Sequence, residues 1–214
     1  QAVAMAADQT LNGVSPALAA MEKERGHAVM MTLLDLERER PSFHVMGVEQ
    51  ATAWQHASVK VTLRVDRIDE TDHGAKVVMD YKSGQRTPDF QKDWLRPQPI
   101  NLQLPLYATV LRQADAAGQR GQIEALLFAK LNAKKTEFNG LGEDGSDIAG
   151  ITSLAKLAPG QSWEALLDGW ERSLEQLARD ISDGIADNRS WAVNDLMYCD
   201  VLPFLRLAQE SEDD

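Results

Sequence analysis

Residues 61–84, VTLRVDRIDETDHGAKVVMDYKSG, carry two acids and an amine at a spacing that could do chemistry. The polar stretch Glu70-Thr71-Asp72-His73-Gly74 is turn-like and separates two strand-forming runs. With the hairpin tip at His73, Asp66 falls opposite Asp80. Directly opposed residues hold their Cβ atoms about 4.5–5.5 Å apart. Two carboxylates at that distance repel, and a divalent cation between them reverses the sign. Oxygen ligands favour Mg²⁺, Mn²⁺ or Ca²⁺. Lys82 follows Asp80 by two residues, so both side chains leave the strand on one face, and Tyr81 points the other way. An ammonium there can position or deprotonate an attacking water and steady charge on a phosphate. Asp69, three residues after Asp66, should face away from it and reads as a turn or salt-bridge residue.

Exposed Asp-x-Lys pairs are common on surface hairpins, and a solvated hairpin with scattered charge is the plain competitor. The run Val77-Val78-Met79 argues against it. Such a run predicts a buried central strand, where a carboxylate and an amine need a purpose.

The elements that must position these groups follow from periodicity. Residues 15–40 predict a helix with Leu18, Met21, His27, Met30, Met31, Leu33, Leu34 and Leu36 roughly on one face. Leu36-Glu37-Arg38-Glu39-Arg40 is its charged end, and Pro41 stops it. An extended segment runs from Phe43 to about Trp54. Val59, Val61, Leu63 and Val65 alternate with Lys60, Thr62, Arg64 and Asp66, the period of a strand. Lys76 to Tyr81 is its partner. Residues 85–99 hold three prolines and predict a loop anchored by Trp94. Asn101 is placed to cap a helix through about Ala117, ended by Gly118. Gln122 to Asn132 reads as a strand. Residues 139–160, with five glycines, read as a long loop. Trp163, Leu166, Leu167, Trp170, Leu174, Leu177 and Ile181 make an amphipathic helix whose stripe is read as core.

The chain has 214 residues, 43% hydrophobic and 26% charged, which is globular composition and predicts one domain over residues 1–214. Gln1 is not a natural start, so a C-terminal fragment of a longer chain is expected. The tail at residues 208–214 is acidic and expected to be disordered. A single cysteine, Cys199, excludes an internal disulfide framework or a cysteine-built zinc site. No apolar run is long enough for a membrane span and no leader pattern opens the sequence, so a cytoplasmic location is expected. The net charge of −11 argues against general electrostatic binding of nucleic acid. Residues 60–96 are different: eight Lys/Arg against seven Asp/Glu give that stretch a net of +1.

Three ordered blocks now carry a likeness: V-D-R-I-D from Val65, V-M-D-Y-K-S-G from Val78, and Q-L-P-L-Y-A from Gln103. Together they resemble the RecB-like branch of the PD-(D/E)xK nucleases, and most of all the C-terminal nuclease domains of AddB-type repair proteins. The likeness runs from about Glu49 to Ala108 and more diffusely to Leu207. It implies an α/β fold with a restriction-endonuclease-like core, a mixed β-sheet flanked by helices. It implies that Asp66 and Asp80 bind Mg²⁺ (or Mn²⁺), with the backbone carbonyl of Tyr81 as a further ligand, and that Lys82 assists catalysis. Gln103 and Tyr107 match a Q-x-x-x-Y motif. Their spacing puts both on one helix face, where they would support the site or touch DNA. Packing is the competing role for Tyr107. Glu49 falls where relatives often have an acid, with capping or a salt bridge as its alternative. Two family features are missing. No G-x-x-x-H motif is found, and His27, directly after Gly26, does not take that role. Where AddB-type relatives place cluster cysteines, this chain has Leu196, Cys199 and Leu205 before Arg206. One cysteine holds no four-cysteine cluster, so no Fe–S cluster is expected and Cys199 reads as a buried structural thiol.

The expected function is metal-dependent hydrolysis of DNA by an exonuclease of repair and recombination. Arg86, Lys92 and Arg96 are candidates for the DNA backbone, against solvated surface charge. DNA and a helicase-nuclease partner subunit are the implied partners, and no membrane. Two other readings compete: a catalytically impaired nuclease-fold module for DNA binding or subunit docking, and an acidic protein-interaction domain.

Overall fold

The computed structural model describes residues 5–6, 10–11, 13–84, 86–113 and 121–185. Helix α1 (Pro16–Arg38) is followed by three strands, β1 (Phe43–His56), β2 (Val59–Thr71) and β3 (Lys76–Lys82). A π-helical turn (Phe90–Trp94) and α2 (Gln103–Gln113) then cross to β4 (Ile123–Lys130). The chain continues through β5 (Glu137–Gly142), β6 (Ile151–Ser153), α3 (Leu154–Leu157) and α4 (Trp163–Ser182). The six strands form one mixed sheet in the order β1-β2-β3-β4-β5-β6. The pairs β3·β4 and β5·β6 are parallel, and the other three are antiparallel.

Alternation along the central strands divides the core between two faces. Val78, Leu126 and Phe128 pack with α2 and α4, while Val77, Met79, Ala125, Leu127 and Ala129 pack with Leu33 of α1. This is the expected mixed sheet flanked by helices, and Val77, Val78 and Met79 are fully buried as their run predicted. The larger core is aromatic. Trp94 meets Phe90, Phe128 and Trp170 with ring centroids 4.8, 5.9 and 5.6 Å away. Three buried indoles of this core are satisfied: Trp94 Nε1 donates to the Asn101 carbonyl at 3.1 Å, Trp170 Nε1 to the Trp94 carbonyl at 3.0 Å and Trp163 Nε1 to the Ile123 carbonyl at 2.6 Å. Trp94 therefore does anchor the proline-rich stretch.

Several expectations need correction. Most of the apolar stripe assigned to α1 is exposed: Leu18, Met21, Met31 and Leu34 face solvent, and only Leu33 is buried. The charged end holds the helix instead, because Arg40 is buried in an ion pair with Asp69. Asn101 does not cap α2. Its φ is +54° and its side-chain amide donates to Asp93, so Leu102 supplies the first carbonyl of the helix, to Leu106 N–H. The expected end of that helix near Ala117 and Gly118 lies outside the described residues. On α4, Leu177 and Ile181 are exposed and do not join the core.

Residues 139–160 are not one long loop, since they contain the end of β5, then β6 and α3. Gly150 turns the chain between β5 and β6 with φ +85°, and a Cβ there would fall on the Phe138 carbonyl. Gly150→Ala should therefore lower stability by about 1–3 kcal/mol in chemical denaturation. An unchanged midpoint would mean that this turn adapts freely.

Candidate active site

The site lies where β2 and β3 part. Their ladder runs from Glu70↔Lys76 to Arg67↔Met79, the register expected from a tip at His73. Carried one step past Arg67↔Met79, that register sets Asp66 opposite Asp80. There the Tyr81 N–H turns to a side chain, donating to Asp66 Oδ2 at 2.9 Å. The strand is irregular at this point. Val65 and Ile68, three residues apart, both pack in the larger core, so the alternation slips once between them. Across from Asp66, between the pairs Val48↔Arg67 and Gln50↔Val65, Glu49 takes a φ of +51°.

Gln103, the first residue of α2, ties the groups together. Its Nε2 donates to Asp80 Oδ1 at 2.6 Å and to the Tyr107 hydroxyl at 3.2 Å, and its Oε1 accepts from Lys82 Nζ at 2.8 Å. Tyr107 donates in turn to the Arg64 carbonyl of β2 at 2.8 Å. Gln103 and Tyr107 thus share a helix face, as their spacing predicted, and Tyr107 both packs in the core and braces the site.

Asp80 is buried. Burial pushes its carboxyl above the usual carboxylate range and the Asp66 charge adds to the rise, against the opposing pull of Lys82. Lys82 Nζ lies 2.9 Å from Asp80 Oδ2, yet that oxygen receives no directed hydrogen bond. A buried carboxylate oxygen in that state is a fit for a cation. Among the described residues no group of three or more His, Cys, Asp or Glu is gathered to hold a metal. Two carboxylates suit Mg²⁺, which keeps several waters and needs only one or two protein acids.

The other candidates are placed differently. Glu49 pairs with Arg64 at 2.5 Å, the salt-bridge alternative, and both side chains are largely exposed. Lys92 pairs with Asp89 at 3.2 Å, Arg86 is exposed, and Arg96 is half-buried. His27 is exposed on α1. Leu196, Cys199, Leu205, Arg206 and the tail at 208–214 lie outside the described residues.

Sequence reasoning missed the network behind the site. Asp69 is fully buried and bonds two guanidiniums, Arg40 at 2.8 Å and Arg67 at 2.7 Å. Glu37 of α1 accepts from Arg40 and from Arg67, each at 2.8 Å. A turn or salt-bridge role for Asp69 is the sequence reading; of its two partners, Arg40 falls in the charged helix end and Arg67 is given no role there. The usable signal was V-D-R-I-D itself, since a second acid inside a strand that is half-buried calls for an internal cation.

No helix among the described residues is long and apolar enough to cross a membrane. No curated protein matches the chain. The family model of the PD-(D/E)XK nuclease superfamily matches residues 1–201. That match takes in α1, the whole sheet, Asp66, Asp80, Lys82 and Gln103, and the chain belongs to the PD-(D/E)XK nuclease superfamily.

Proposed function

We propose that this chain is a metal-dependent deoxyribonuclease of the RecB-like, AddB-resembling type, an exonuclease serving DNA repair and recombination. One observation carries the reading: the opposed Asp66 and Asp80, with Lys82 and Gln103 bonded into one cluster at the open fork of β2 and β3. Asp66 and Asp80 would hold Mg²⁺ or Mn²⁺, with the Tyr81 carbonyl as a further ligand. A divalent ion supplies Lewis acidity there, drawing charge from a phosphate and lowering the pKa of water. Lys82 orients the attacking water through Nζ, which Gln103 Oε1 holds in place. Gln103 Nε2 fixes Asp80 Oδ1, and Oδ2, paired with Lys82 Nζ, is the oxygen that would turn to the cation. Arg86, Lys92 and Arg96 follow β3 and supply positive charge for the DNA backbone, against the acidity of the chain as a whole. A helicase-nuclease partner subunit and a cytoplasmic setting complete the proposal.

The test is digestion of end-labelled single- and double-stranded DNA with Mg²⁺ or Mn²⁺. Chelation should stop cleavage, and Lys82→Ala should slow it by about 10²-fold or more. Cleavage that survives both treatments would remove this cluster from the reaction. Binding of DNA without cleavage in either metal would make the domain a nuclease-fold binding or docking module instead.

A further inference from the structure

Tyr81 stands between Asp80 and Lys82 but on the opposite face of β3, and it is held at both ends. Its backbone N–H donates to Asp66 Oδ2 at 2.9 Å. Its hydroxyl accepts from Arg67 Nη1 at 3.2 Å. Asp66 and Arg67 are adjacent on β2, so two consecutive residues of one strand grip a single residue of the next. The grip comes just past Arg67↔Met79, the last pair of the β2·β3 ladder, where backbone pairing no longer sets the gap.

Arg67 is itself immobilised. Nε donates to Asp69 Oδ1 at 2.7 Å, and Nη1 and Nη2 donate to Glu37 of α1 at 2.8 and 3.3 Å. Its guanidinium also lies over Phe43, 5.1 Å from the ring centroid. Glu37 and Asp69 are locked from the other side by Arg40. A planar guanidinium with its donors committed in three directions cannot follow a drifting phenol.

We propose that Arg67 is a positioning residue: through Tyr81 it sets the gap between β2 and β3, and with it the spacing of Asp66 and Asp80. This rests on the reading of those two acids as metal ligands. The arrangement also couples α1 to the site. Only Leu33 of the helix is fully buried, and its charged end reaches Tyr81 through Arg67. Partners of this outer kind orient the groups that touch the ion, and losing one typically costs about 10–100-fold in metal affinity.

Tyr81→Phe removes the hydroxyl and keeps the ring. Two measurements on the metal-free and Mn²⁺-titrated protein separate the clamp from the metal reading. Amide hydrogen exchange at residue 81 should accelerate by about tenfold, because the strand end is no longer pinned. Mn²⁺ affinity by calorimetry should fall by about tenfold, with the thermal midpoint of the apo protein little changed. Arg67→Met should reproduce both effects if it folds, and Tyr81→Phe decides if it does not. Unchanged exchange at residue 81 overturns the proposal. So does faster exchange with unchanged Mn²⁺ affinity, since the fork would then loosen without moving the acids. Should the wild type bind no Mn²⁺, the metal reading fails by itself, and the amide alone supports or overturns the clamp.

Discussion

Asp80→Asn should abolish metal-dependent cleavage and, at neutral pH, make the apo protein more stable. Burial and the facing Asp66 raise the Asp80 carboxyl, so its ionised form is the disfavoured one in the fold. For a raised acid the favourable contribution is complete below the unfolded pKa and is lost as pH rises through the folded pKa. Wild-type apo protein should therefore lose stability across that acidic window, and Asn should remove the loss. Its Oδ1 can still accept from Gln103 Nε2, and Lys82, about one third exposed, can turn to water. Cleavage of end-labelled DNA should fall by about a thousandfold or more, a barrier increase of about 4 kcal/mol. Thermal melts from acid to neutral pH give the other half. A variant less stable than wild type at neutral pH would mean that Lys82 gains more from the carboxylate than burial costs it. The same titration limits metal binding, because protons compete with the cation for Asp80, so Mn²⁺ affinity should weaken as pH falls.

The second large effect is structural. Asp69→Ala leaves Arg40 and Arg67 sharing Glu37, and the Arg40 side chain is only 1% exposed. A buried charge stripped of its partner costs about 3–5 kcal/mol, against a whole-domain stability of about 5–15 kcal/mol. Urea unfolding should show a loss of that size, a large share of the total. Asp69→Asn should be milder, since an amide oxygen can still accept from one guanidinium. A loss under about 1 kcal/mol for Asp69→Ala would show that water reaches Arg40 once the carboxylate is removed.

How much of this was legible depends on the range of the interaction. Asp66 and Asp80 could be set opposite each other because a short turn at His73 fixes the register of a hairpin. Gln103 and Tyr107 could be placed on one face because helical spacing is local. The Glu37–Arg67 pair could not be read, because it joins a helix end to a strand some thirty residues on and nothing local distinguishes a solvated Glu from a buried one. The glycines of 139–160 misled for a related reason. Gly140 sits in β5 because a Cβ there would meet the Leu126 carbonyl and Ile151, so the residue marks a close approach of strands and not a free loop. The stripe of α1 misled because apolar spacing states what could be buried, and the sheet beneath it takes only Leu33 fully.

β3 and β4 run parallel, so the chain must travel over the sheet before the second of them can pair, and Gln103 rides on that passage. Contacts so distant in sequence are the slow ones in folding. Until that passage packs on the sheet, the β2·β3 hairpin holds its acids and Lys82 without the Gln103 amide that joins Asp80 to Lys82. A chain halted before Ile123–Lys130 emerges would own every charged group of the centre and the Arg67–Tyr81 grip, but not the strand against which α2 seats Gln103.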